Sequence, residues 1–158
     1  MIRKIEQSDY KIVCDIVNDN WRCVYRGYVD PLLLTESGCD ERERQLIDDF
    51  KSGRLSEYVF EENGQVLGMI SFGKTGERDC PNSFEIWRLY IHREFQDRGI
   101  GRCLLEFAEE HAHSLGYSDI VIWAFKQNVN AAVFYKKHGY HPDIEAFLGA
   151  PYNADGMR

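Results

Sequence analysis

The stretch that most constrains this chain runs from Leu89 to Arg102 and reads Leu-Tyr-Ile-His-Arg-Glu-Phe-Gln-Asp-Arg-Gly-Ile-Gly-Arg. An apolar strand end enters a glycine-bearing loop, and the loop opens a helix that continues with helical periodicity to about Leu115. The first-turn N–H groups of a helix have no partner inside it and carry partial positive charge. Gly99 and Gly101 remove side chains that would hold an anion away, and Arg98 and Arg102 add formal positive charge. The combination suits a pyrophosphate. It is not a dinucleotide fingerprint, because Leu104 stands where the third glycine belongs. Nor does this loop carry the Gly-Lys-Ser/Thr of a P-loop. On this stretch alone, a phosphate site and a plain tight turn stand level.

A second stretch shifts that balance. Asn128-Val-Asn-Ala-Ala-Val-Phe-Tyr-Lys-Lys-His-Gly-Tyr140 follows the next strand and reads as a short helix closed by Gly139. Together the two stretches resemble the GNAT superfamily of N-acetyltransferases. That family's [QR]-x-x-G-x-[GA] loop is matched by Gln96 to Gly101. Its N-x-x-A-x-x-[FL]-Y-x-x-x-G-[FY] segment is matched by Asn128 to Tyr140, and its apolar strand end by Leu89-Tyr90-Ile91. The likeness in motifs covers residues 55–145; the first helices match only in order and size.

The resemblance implies an α/β fold of the mixed kind, with a central, mixed, splayed sheet flanked by helices, in one domain over residues 1–158. It implies acetyl-CoA as cofactor. Backbone amides from Gln96 through Arg98, Gly99, Ile100, Gly101 and Arg102 would hold the CoA pyrophosphate. Leu89, Tyr90 and Ile91 would offer their exposed backbone to the pantetheine arm, and the Ile91 amide would polarise the thioester carbonyl. Asn128 would bond the same arm and Phe134 would pack on the cofactor. Tyr135 resembles the tyrosine that protonates the CoA sulfur, and Glu85 the strand carboxylate that takes a proton from the amine. For Tyr135 the plain alternative is a core aromatic, and for Glu85 a rim carboxylate. The reaction expected is direct attack of a neutral amine on the thioester in a ternary complex.

Around these motifs the chain reads as strand 2–6, then a helix capped by Ser8 with Val13, Ile16, Val17, Trp21, Val24 and Tyr25 on its apolar face. A second helix is expected over Asp40 to Lys51, burying Leu46, Ile47 and Phe50. Asn63-Gly64 is a hairpin turn between strands at 58–60 and 66–72. Residues 73–82 read as a loop. On a strand over Phe84 to Ile91, regular alternation puts Phe84, Ile86 and Arg88 on one face and Glu85, Trp87, Leu89 and Ile91 on the other, so that apolar neighbours would raise the Glu85 pKa. Ile120 to Phe125 reads as one buried strand and Ala131 to His138 as the last helix. Beyond Gly139 the tail is short, and a closing strand is only starting at Met157-Arg158, so that strand is expected to be missing or supplied by a partner, with a homodimer one arrangement this leaves open.

The acceptor in this fold enters between the first two helices and the hairpin, where Trp21, Tyr25, Tyr28, Asp30 and Glu36 lie, with Asp40 and Glu41 nearby. Aromatic plus acidic groups suit a small cationic amine. A net charge of −7 with no basic face argues against nucleic acid. No apolar run approaches the ~20 residues that cross a bilayer, and the polar N-terminus has no signal-peptide core, so a cytoplasmic protein with no membrane partner is expected. The five cysteines form no Cys-x-x-Cys pair and the histidines no ligand spacing, so no metal is expected. Two other readings stay open: an enzyme acting on a protein N-terminus or lysine, and a non-catalytic acyl-CoA-binding regulatory module.

Overall fold

A computed structural model describes residues 1–158. Its elements are β1 (Ile2–Lys4), α1 (Tyr10–Val24), α2 (Glu36–Ser52), β2 (Ser56–Glu62), β3 (Gln65–Lys74), β4 (Phe84–Ile91), α3 (Ile100–Ser114), β5 (Ile120–Ile122), β6 (Ala124–Phe125), α4 (Val129–Lys137), β7 (Glu145–Leu148) and β8 (Ala154–Met157). Strands β1 to β5 form one sheet in that order, antiparallel except for the β4–β5 pair. A second sheet has the order β6-β8-β7.

The first sheet separates two apolar layers. On one face Val59, Val66 and Met69 meet Val13, Ile16, Val17 and Trp21 of α1 and Leu46 and Phe50 of α2. On the other, Leu67, Ile70, Phe72, Phe84 and Ile86 meet Ile100, Leu104, Leu105, Ala108 and Ala112 of α3. Asn63 and Gly64 both take positive φ, 52° and 76°, as a two-residue hairpin turn with right-handed strand twist requires. Residues Gly68 to Thr75 spell the P-loop pattern Gly-x4-Gly-Lys-Thr, but Gly68 to Lys74 are the middle and end of β3, paired to β2 and β4. Amides committed to a ladder cannot cradle a phosphate, so these letters carry no site.

Several sequence expectations need correcting. Helix α1 starts after Asp9, not at a Ser8 cap; the Asp9 carboxylate accepts from the Glu6 N–H at 2.8 Å and from Arg3. Helix α2 starts at Glu36, because the Thr35 hydroxyl accepts from the Gly38 N–H at 3.2 Å, and this moves Asp40 and Glu41 inside the helix. Strand β3 runs on to Lys74, into the expected loop.

The alternation expected along β4 breaks in its middle. Ser71 pairs with Arg88 and Phe72 with Ile86, so Trp87 is an extra residue, a bulge. The bulge shifts the later residues by one place. Leu89 and Ile91 join Phe84 and Ile86 against α3, while Tyr90 turns to the α1 side. Residues 120–125 are not one strand either: they break at Trp123, the first half pairing with β4 and the second with β8. The closing strand expected to be missing is present. Strands β7 and β8 pair antiparallel from Glu145–Met157 to Leu148–Ala154, and β8 also pairs with β6.

Candidate active site

Strands β4 and β5 stay together only at Phe84–Ile120, Glu85–Val121 and Ile86–Ile122. Past Ile122 the chain turns to β8, and Arg88 to Ile91 are left with a partner only on the β3 side. The His92 N–H donates to the Leu67 carbonyl at 2.8 Å. Backbone polar groups alternate along a strand, so Leu89 and Ile91 turn theirs away from β3, into the gap between β4 and β6.

At the end of β4 lies the glycine loop. The last bond before it is Gln96 N–H to Arg93 O, 3.3 Å, and the first of α3 is Cys103 N–H to Gly99 O, 3.0 Å. Between them the amides of Asp97 to Arg102 donate to no protein acceptor. Gly99 has φ of 80°, and a Cβ there would meet nothing within 4 Å, so the glycine serves backbone conformation and leaves open space. Gly101 has a different role: a Cβ on it would stand 3.4 Å from the Phe134 ring and 3.9 Å from Ile91. Phe134 is thus packed on the first turn of α3. The arginines are engaged laterally, Arg102 with Glu106 at 2.7 Å and Arg98 over the Phe95 ring at 4.8 Å. The main-chain amides are the freer donors.

Across the gap, Asn128 caps α4, its side-chain oxygen accepting from the Ala131 N–H at 3.2 Å. With Cys23, Tyr28 and Arg93 it lines a cleft of about 360 Å³. Tyr135 packs edge-on against Phe134, ring centroids 5.2 Å apart. Burial, with Tyr90 nearby, pushes its phenol well above the usual range, so it holds its proton at neutral pH.

Glu85 is 6% exposed, and its Oε2 accepts from the Thr75 hydroxyl at 2.8 Å and the Gly76 N–H at 3.2 Å. Burial raises its pKa against the lowering effect of these two donors. The neighbours differ from those expected. Leu89 is on the other face and Trp87, in the bulge, is exposed.

Of the acceptor-side residues, Trp21 is 8% exposed and sits in the core, with the Arg42 guanidinium 4.0 Å over its ring. Tyr25 packs edge-on against Trp21 and Phe125, each at 4.9 Å. The Tyr28 hydroxyl is buried without a partner, and burial pushes its pKa up to about 12. Asp30 is occupied: it accepts from the Leu32 N–H and the Asn153 side chain, both at 2.9 Å. Glu36 is exposed in the first turn of α2. The aromatic groups come together, and the two carboxylates do not join them.

Two residues escaped the sequence reading. The Tyr90 hydroxyl accepts from the Trp21 indole N–H at 3.1 Å, a side-chain role hidden by the bulge. Asn20, 6% exposed, reaches from α1 to Ile91 and Gln96. Its signal was available: Val13, Ile16, Val17 and Asn20 share one helical stripe, and a polar residue on an apolar stripe needs a partner.

The description "Acetyltransferase (GNAT) family" fits residues 14–140 of this chain. A probable N-acetyltransferase of Mycobacterium tuberculosis is 31% identical over 152 residues, covering 95% of this chain and 84% of its own length. The spermidine N(1)-acetyltransferase of Thermoplasma acidophilum is 25% identical over 142 residues, 88% of this chain and 86% of that one. Among solved structures, the PaiA N-acetyltransferase of T. acidophilum in complex with coenzyme A has the same fold, with a TM-score of 0.72 at 18% identity over 99% of this chain and 96% of that one.

Proposed function

This chain belongs to the GNAT family of acetyltransferases, and from that premise we propose that it moves an acetyl group from acetyl-CoA to the primary amine of a small cationic molecule, by direct attack in a ternary complex. The observation that carries the proposal is the run of unpartnered amides from Asp97 to Arg102 at the head of α3, next to the gap between β4 and β6. Six donors with no internal acceptor, at the positive end of a helix, suit a diphosphate. The gap beside them suits an extended, amide-bearing arm.

Bound acetyl-CoA supplies the activated acetyl thioester. The N–H of Ile91 donates to the thioester oxygen as negative charge develops there. Glu85 takes a proton from the ammonium, directly or through water; its Oε1 has no protein partner, and its raised pKa suits a base acting on an amine. Tyr135, protonated at neutral pH, gives its proton to the departing sulfur. Asn128 and Phe134 line the cofactor side. Trp21 and Tyr25 support the acceptor wall from behind, with the buried, unpartnered Tyr28 hydroxyl beside them, Glu36 exposed in the first turn of α2, and Asp30 fixing the loop between α1 and α2.

A small cationic acceptor is supported by the net charge of −7 and by the named activity of the T. acidophilum relative. The test is a CoA-release assay across polyamines, amino acids, aminoglycosides and peptides. Turnover of polyamines or other small amines above peptides is the expected result. Turnover of peptides alone would overturn the choice of acceptor, and no binding of coenzyme A would overturn the whole reading.

A further inference from the structure

Ile91 ends the unpaired edge of β4, and both its backbone groups turn into the gap. An edge residue of this kind ordinarily presents one donor and one acceptor to whatever lies beside it. Here the acceptor is already taken. The Asn20 side-chain N–H donates to the Ile91 carbonyl at 3.0 Å and to the Ile16 carbonyl of its own helix at 2.9 Å. Its side-chain oxygen accepts from the Gln96 amide at 3.3 Å, and that amide also donates, at 3.5 Å, to the Ile91 carbonyl. With these bonds Asn20 is satisfied on both its nitrogen and its oxygen, and it is almost wholly buried.

We infer that Asn20 is a positioning residue that turns the Ile91 edge into a donor-only surface, selecting a ligand carbonyl at that point. The inference rests on the cofactor reading above and deepens it. A carbonyl oxygen brought to the Ile91 N–H would otherwise lie close to the Ile91 oxygen, and two acceptors facing each other repel. The Asn20 amide ties up that oxygen and fixes its peptide plane. The same side chain ties Gln96, the first residue of the glycine loop, to the end of β4. The β4 edge and the loop that heads α3 are therefore held by a buried amide on a different helix, beside the longer direct bond from Gln96 to Ile91. The Trp21 indole holding the Tyr90 hydroxyl is the adjacent clip from the same turn of α1.

The experiment compares two probes on the full chain by calorimetry: acetyl-CoA, which carries the thioester carbonyl, and coenzyme A, which ends in a thiol and lacks it. In Asn20→Ala, affinity for acetyl-CoA should fall on the order of tenfold more than affinity for coenzyme A, the size of one or two lost hydrogen bonds. The loosening of Gln96 acts on the pyrophosphate that both probes share, so it lowers both affinities alike and leaves their ratio to report the Ile91 edge. Equal losses for both probes, or no loss for either, would overturn the inference. Should Asn20→Ala fail to fold, the wild-type protein still decides: saturating acetyl-CoA should shift the Ile91 amide resonance in a ¹⁵N-correlated spectrum and slow its hydrogen exchange. An Ile91 amide left unmoved while the Asp97–Arg102 amides shift would sink the donor-only edge but keep the pyrophosphate site. If neither set moves, the cofactor reading itself fails.

Discussion

The ring of Phe134 lies 3.4 Å from the point where a Cβ on Gly101 would stand, so the last helix is packed on the first turn of α3 at the distance a single methyl would fill. Gly101→Ala should therefore fold as well as wild type or slightly better, since alanine gains up to about 1 kcal/mol of helix propensity. Its coenzyme A affinity should be little changed, because the amide remains. Gly101→Val adds branches that must push Phe134 away, and overpacking of this kind costs about 1–3 kcal/mol. Thermal melting and calorimetry on both variants check this; a valine variant that melts and binds like wild type would count against the packing.

Glu85 is a buried carboxylate whose folded-state pKa is raised by desolvation. A raised carboxylate pKa means the folded state binds the proton more tightly than the unfolded one. Its contribution to stability is then most favourable at acid pH and falls as pH rises from the unfolded value toward the folded one. Glu85→Gln removes that decline while keeping an acceptor for Thr75 and Gly76. Its melting temperature should equal or exceed wild type at pH 7, while turnover falls by about 10²-fold if the group is the base. A variant destabilised at pH 7 with unchanged turnover would make Glu85 structural.

Arg88 pairs with Asp49 of α2 and lies 3.6 Å from Glu57, which is 3% exposed and also accepts from the Ser71 hydroxyl. Removing the cation leaves Glu57, whose pKa burial already raises, in the core without its counter-charge. Arg88→Met should cost about 3 kcal/mol or more. Adding Glu57→Gln should recover much of it, because the stranded charge goes with its partner. Urea denaturation of the two single variants and the double variant measures the coupling; strictly additive losses would refute it.

Tyr135→Phe should bind coenzyme A with wild-type affinity and lose about 10²- to 10⁴-fold in kcat. The phenol is held above the ordinary range of ~10. The alkaline fall of the wild-type rate that tracks Tyr135 should therefore begin above about pH 10. A limb near pH 8 that disappears in the phenylalanine variant would contradict the burial argument.

Where the sequence pattern was local, it was readable. Strand β4 begins and ends where its apolar run does, Asn63-Gly64 makes its hairpin, and α3 starts at Ile100 after the glycine. Three features were hidden, each for a physical reason. A bulge at Trp87 leaves composition untouched but resets the faces of every later residue, so Leu89 was assigned beside Glu85 and Tyr90 was read for its backbone alone. The break at Trp123 depends on which neighbour each half of 120–125 finds, a non-local choice. Strands β7 and β8 are short, and Phe147 is 66% exposed, so no apolar run announces them. One of the two partners of Asp30, Asn153, is distant in sequence and left no local sign.

The six-residue segment from Ile120 to Phe125 is shared between two sheets, and that sharing fixes how wide the mouth beside β4 can be. The width is inherited from main-chain geometry. A molecule lodged there is read by peptide groups that every amino acid possesses. Side chains on the opposite wall are then free to drift toward a new second reactant, while the first keeps its berth.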